Sequence, residues 1–201
     1  MKKIYLLATD EKIKGYNITK FFTGESFLHV LISVDDDLTH WYDFKKTVRR
    51  RCLDEIKSGN NCKLTSLSVT KEQYENVSKM LGYFHDNKEQ YKYDHFGIFL
   101  SVFFFVPALR LGIHSLGNIC VRMVYHPNKF YCSSFISYIL EKSGIKIFKN
   151  TNIEESYASF SPWTTGPYDY VKTNLPVEFK GTTEQLKNNI KREKICIQNL
   201  M

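Results

Sequence analysis

A cysteine opens the segment CSSFISYILEKSG at Cys132, and its position decides whether it can do chemistry. A thiol attacks a carbonyl carbon well only as the thiolate, and a helix N-terminus supplies partial positive charge that favours that form. The spacing of Phe135, Ile136, Ile139 and Leu140 predicts an amphipathic helix from about Cys132 to Ser143, closed by Gly144 and anchored by its apolar stripe in a core. Cys132 and Ser133 then fall in the first turn, where backbone N–H groups could also hold a developing oxyanion. Free cysteine is equally a common buried core residue, so the thiol needs a histidine close in space before it counts as a nucleophile.

Of six histidines, His29 is the best placed. It opens a strand in which Val30, Ile32 and Val34 form one apolar face, leaving His29, Leu31 and Ser33 on the other. His126 is nearer to Cys132 in sequence but sits in the turn-like YHPN, and His85, His95 and His114 have no evident partner. No histidine pair has the spacing of a zinc-binding helix. The five cysteines (52, 62, 120, 132 and 196) are odd in number and contain no CxxC pair, which points to reduced thiols and argues against a disulfide framework or a zinc site.

The elements that must position these residues can be read in order. MKKIYLLATDEKIKGYN starts like a signal peptide, but its apolar run meets Asp10 and Glu11 too soon; an N-terminal strand in an unprocessed, cytoplasmic protein is expected. HVLISVDDDLTHWYDF alternates on both sides of an Asp cluster, as a β-hairpin does. The basic segment from Lys45 to Arg51 follows, then a loop at KSGNN and a short strand in CKLTSLSV. Thr70 and Gln73 form a capping box for a helix whose stripe is Tyr74, Val77, Leu81 and Phe84. Residues 96 to 109 are nearly all apolar but too short to span a bilayer and are broken by Pro107, so a buried segment is expected. An ordered loop and a last strand are expected in SPWTTGPYDYVKTNLPVEFKGT, within one domain of residues 1 to 182. Residues 183 to 201 form a polar helix or tail.

The chain has 201 residues, 43% of them hydrophobic, and 28 Lys and Arg against 21 Asp and Glu, a formal charge of +7. That balance favours an anionic partner or surface without choosing one. Arg49, Arg50 and Arg51 form the one basic run suited to nucleic acid, yet such a run more often makes a solvated face, and no specific nucleic acid is expected.

In order, FTGESFLHVLISVDDDLTHWYDF, SVTKEQYENVSKML, YKYDHFG, KFYCSSFISYILEKSGI and GPYDYV resemble a circularly permuted papain-like cysteine hydrolase, of the YiiX-like branch of the NlpC-type superfamily, which has many bacterial members. Ordinary papain-like enzymes place Cys before His; the permuted branch has the reverse order, as here. The resemblance covers roughly residues 3 to 180 in order of elements. Its specific part is the His-Val strand start, Phe-Tyr-Cys-Ser-Ser-Phe and the downstream Pro-Tyr-Asp.

It implies an α+β fold with an antiparallel sheet packed against the cysteine-bearing helix. Cys132 would be the nucleophile and His29 the general base that later protonates the leaving group, acting on a peptide or isopeptide bond without metal or organic cofactor. A polar residue on the next strand would orient the imidazole. A hairpin loop of Asp35 to Asp37 puts Asp43 on the face of His29, and a loop one residue shorter or longer puts His40 there. Asp43 is the better acceptor for an imidazole N–H, while His40 fits the superfamily pattern and is favoured. The permuted order is shared with lecithin:retinol acyltransferase and its phospholipase relatives, so a lipid substrate is an alternative, supported by the apolar run around Phe103 to Phe105 and the basic charge. Against it, those enzymes show Asn-Cys before a Glu-His pair, whereas here the run is Tyr131, Cys132, Ser133, Ser134. The remaining alternative is a catalytically idle fold used for binding.

Overall fold

The computed structural model describes residues 1–11, 27, 29–57, 61–100, 103, 128–148 and 165–198. Its frame is an antiparallel sheet whose central strand, β1 (Lys2–Thr9), carries apolar residues on both faces. Ile4 and Leu6 point into one core and Leu7 into a second, because successive side chains of a strand alternate. β2 (His29–Ser33) and β5 (Asn61–Val69) flank β1, β3 (His40–Phe44) and β4 (Val48–Cys52) extend the sheet beyond β2, and β8 (Val177–Thr182) extends it beyond β5. The resulting order is β4-β3-β2-β1-β5-β8, with every pairing antiparallel.

The expected hairpin, the strand in CKLTSLSV and the last strand are all present. The basic segment, read in sequence only as a charge run, supplies the edge strand β4. Val48 is buried in the first core while Arg49 and Arg51 alternate away from it. β6 (Lys92–Tyr93) and β7 (Lys129–Phe130) form a separate two-stranded parallel ladder.

Two helices cover the first face. α1 (Lys71–Asp86) begins at the Thr70 capping box: the Thr70 hydroxyl accepts from the Gln73 backbone N–H at 3.1 Å, and the Gln73 side chain accepts from the Thr70 N–H at 3.1 Å. Such a box satisfies two otherwise orphaned donors. Val77, Leu81 and Phe84 are buried on the predicted stripe. α3 (Cys132–Lys142), which follows the short α2 (His95–Leu100), buries Phe135, Ile136, Ile139 and Leu140 against β2 and β3. It ends where predicted. Gly144, at φ 74°, donates to the Glu141 carbonyl and Ile145 to that of Leu140, so the left-handed residue closes the helix at the position where glycine carries no steric cost.

The second face is covered by a 3-10 turn at Leu53–Glu55, by Ile56, and by α5 (Thr183–Gln198), which buries Leu186. Lys187 donates to the carbonyls of Asp54 and Ile56, and Thr183 to that of Lys57, tying α5 to that turn. A short helix not anticipated from sequence, α4 (Pro167–Lys172), precedes β8. Of the apolar run at 96 to 109, only residues 96–100 and 103 lie among those described, and Phe96 and Phe99 of α2 are about half exposed. Among the described residues, no helix is long and apolar enough to cross a membrane.

Candidate active site

Cys132 is the first residue of α3, after Tyr131 in extended conformation. The start of this helix is held by a set of hydrogen bonds. The Tyr131 N–H donates to the Ser134 hydroxyl at 2.8 Å, the Ser133 hydroxyl donates to the Thr165 carbonyl at 2.5 Å, and the Tyr170 hydroxyl donates to the Ser133 carbonyl at 3.0 Å while pairing with Ser137 at 2.7 Å. Tyr170 belongs to α4, and Asp169 accepts from the Gly166 N–H at 2.7 Å, so GPYDY forms a bracket against the cysteine helix. The two serines that follow the cysteine are therefore structural donors and acceptors within a buried turn.

His29 opens β2 and is 2% exposed. It is hydrogen-bonded to Cys132, and its Nε2 lies 2.9 Å from Oδ2 of Asp43. Sequence-distant residues thus meet because β2 and α3 pack together. Burial by itself would lower the basicity of this imidazole. The charge of Cys132, with hydrogen bonds to Asp43 and Cys132, outweighs burial and raises its pKa from 6.5 to about 10.

The residue hydrogen-bonded to His29 is Asp43, while the favoured His40 makes its contacts elsewhere. Ile32 pairs with Tyr42, so Asp43 falls across from Leu31, on the face that Leu31 shares with His29. His40 sits at the mouth of the hairpin with its side chain 41% exposed, its Nδ1 3.0 Å from the Thr39 hydroxyl and 3.3 Å from Asp35. The physical reason is the turn. The Asp35 carboxylate accepts from the backbone N–H groups of Asp37, Thr39 and His40 and from the Thr39 hydroxyl, which fixes the loop and with it the register.

Asp43 is fully buried and is the centre of a network that sequence reasoning missed. Arg49, directly opposite in the β3–β4 register, donates through Nε to Oδ1 at 2.9 Å and through Nη2 to Oδ2 at 2.5 Å. Arg51 donates from Nη1 to Asp43 at 3.0 Å and to Glu11 at 3.1 Å, and from Nη2 to the Glu55 carbonyl at 2.7 Å. Lys45 adds a longer contact to Glu11 at 3.7 Å. Burial would raise the pKa of the Asp43 carboxyl, but the hydrogen bond and charge of His29 and those of Arg49 hold it well below the usual carboxylate range. The same balance, with Arg51 opposing burial, lowers Glu11. Asp43 is thus held as a charged acceptor, and the proton between it and His29 stays on the imidazole.

The arrangement sets a thiol, an imidazole and a carboxylate in series at a helix start. Tyr93 closes around it: burial, then the charges of Cys132 and Asp43, push its hydroxyl far above the ordinary tyrosine range, and its ring stacks on Phe44. His114 and His126, along with Cys120, lie outside the described residues. Among the described residues, no three His, Cys, Asp or Glu side chains stand together as metal ligands. Searches of family models, of curated proteins and of solved structures gave no match to this chain.

Proposed function

We propose that the chain is a thiol hydrolase of the permuted papain-like fold, cleaving an amide of peptide or isopeptide type through an acyl-enzyme on Cys132. The observation that carries this reading is the hydrogen-bonded series Cys132, His29, Asp43, with the thiol at a helix N-terminus. In the first step the thiolate attacks the carbonyl carbon, and backbone N–H groups of the first turn of α3 stabilise the oxyanion. His29 gives its proton to the leaving amine as the C–N bond breaks. Water then enters; His29 removes its proton, the hydroxyl attacks the thioester, and the acid leaves as the thiolate re-forms. Asp43 does not exchange protons in this scheme. It keeps Nε2 occupied, which fixes the tautomer and orientation of the ring.

Three described cysteines, Cys52, Cys62 and Cys132, are free thiols, which supports a reducing compartment and a cytoplasmic setting. A lipid ester is the second reading, favoured by the exposure of Phe96 and Phe99 on α2. The test is an activated-acyl probe followed by peptide mapping. An acyl group should accumulate on Cys132 in the native chain and not in His29→Ala, and peptide amides should be turned over faster than phospholipid vesicles. Labelling of Cys132 no faster than that of exposed Cys52 would end the hydrolase reading, and turnover of vesicles alone would select the lipid one.

A further inference from the structure

Beside the candidate active site lies a cleft of ≈ 400 Å³ that the proposed chemistry does not use. It is lined by the consecutive residues Thr47 to Arg51, with Glu55 beyond them and with His85 and Lys88 from the far wall. A strand presenting one face to a cavity contributes every second residue. Five successive residues mean that the cleft follows the outer edge of β4, the end strand of the sheet. Such an edge carries unpaired backbone N–H and C=O groups, a template for another extended chain.

The charge of the lining selects the chain. Arg49 and Arg51 are engaged with Asp43 and Glu11, but among the described residues neither Arg50 nor Lys88 has an ion-pair partner, and Arg50 is exposed. Against these stands Glu55, the one lining carboxylate among the described residues. Among the described residues no Phe, Tyr or Trp lines the cleft, so they offer no stacking surface of the kind single-stranded nucleic acid uses. Backbone pairing along a strand edge also suits a polypeptide and not a nucleotide chain.

We infer that the β4 edge, with Arg50 and Lys88, docks an extended acidic segment of a polypeptide partner. Carboxylates on alternate residues of that segment would meet the guanidinium and ammonium groups while its backbone pairs with β4. Calling the partner the substrate rests on the hydrolase reading; the binding itself does not.

The experiment measures binding of a fluorescent peptide of alternating Glu and Thr to the intact chain, with a neutral peptide and a single-stranded oligonucleotide as comparators. The acidic peptide should bind saturably and more weakly as salt is raised. The double reversal Arg50→Glu, Lys88→Glu should weaken it by roughly tenfold, with Arg50→Ala giving a smaller loss in the same direction. Alkylation of Cys132 should proceed at the native rate in both variants, which also shows that the site remains folded. Equal binding of the neutral peptide, binding of the oligonucleotide alone, or affinity untouched by the charge reversal would each overturn the inference. An acidic peptide that binds a chain whose Cys132 is unreactive would leave the docking edge standing and remove the hydrolase reading instead.

Discussion

Two buried thiols in this molecule have nearly the same exposure and different neighbours. Cys62, on β5 in the second core, is 1% exposed, and Cys132 is 4% exposed. Around Cys62 stand Leu7, Leu31 and Leu64, and burial together with the negative charge of Asp10 pushes its thiol up to about 12. It stays protonated at neutral pH. Cys132 instead meets the imidazole of His29, itself raised to about 10 and tethered to Asp43. Burial alone keeps a thiol inert, whereas an imidazole beside it is the partner a thiol needs to act as a nucleophile.

The comparison breaks most sharply if the cation is removed. His29→Ala should slow alkylation of Cys132 near neutral pH by ~10²-fold or more, leaving it almost as unreactive as Cys62. Rates by iodoacetamide trapping and mass spectrometry would show this, with exposed Cys52 as the internal reference. A wild-type ratio of Cys132 to Cys62 labelling near one would contradict the contrast outright.

The next effect is on stability. Asp43→Ala leaves Arg49 and Arg51 facing one another beside His29, with Glu11 as the remaining buried carboxylate. Breaking a buried pair in this way costs about 3–5 kcal/mol, measurable as a lower urea midpoint at unchanged slope. Cys62→Ala, which removes no charge partner, should cost less than that.

How much of this was legible differs residue by residue. Cys132 could be placed because helix period, Gly144 and the apolar stripe agreed with one another, and the Thr70 capping box was readable for the same reason. Asp43 and His40 could not be separated, since a one-residue change in the hairpin loop moves every side chain to the other face. The loop is fixed by contacts to the Asp35 carboxylate, three of them from backbone groups that no residue pattern displays. Arg49 and Arg51 were hidden inside a run of three arginines that looked like solvated charge. A period of two was present there, with Val48 and Arg50 on one side and Arg49 and Arg51 on the other, but nothing in the run said that it was a strand. Glu11 meets Arg51 across forty residues of chain, a contact that only the sheet topology creates.

The pH response sharpens the contrast further. The folded pKa of His29 lies above its unfolded value of 6.5, so its contribution to stability is complete below that pH and is lost as pH rises toward about 10. Asp43 is shifted the other way; its contribution holds above its ordinary 3.8 and is lost as pH falls below that value. Urea midpoints of the native chain and His29→Gln should therefore converge as the pH approaches 10. Cys132→Ser removes the largest influence raising His29, and histidine NMR should report a lower pKa in that variant. A pKa unmoved by Cys132→Ser would mean that Asp43 alone holds the imidazolium.

The smallest expected effect concerns the bracket that only one of the two thiols has. Tyr170→Phe removes a hydroxyl that pairs with Ser137 and donates to the Ser133 carbonyl, leaving both groups buried without that partner. The stability cost should be about 1–2 kcal/mol, since the ring still fills its place and only the hydrogen bonds are lost. If the bracket sets where the first turn of α3 presents its sulfur, alkylation of Cys132 should also slow by several-fold, while Cys62, on a strand with no contact to α4's hydroxyl, keeps its native rate. A stability loss with unchanged Cys132 kinetics would show that α4 holds the helix without aiming the thiol.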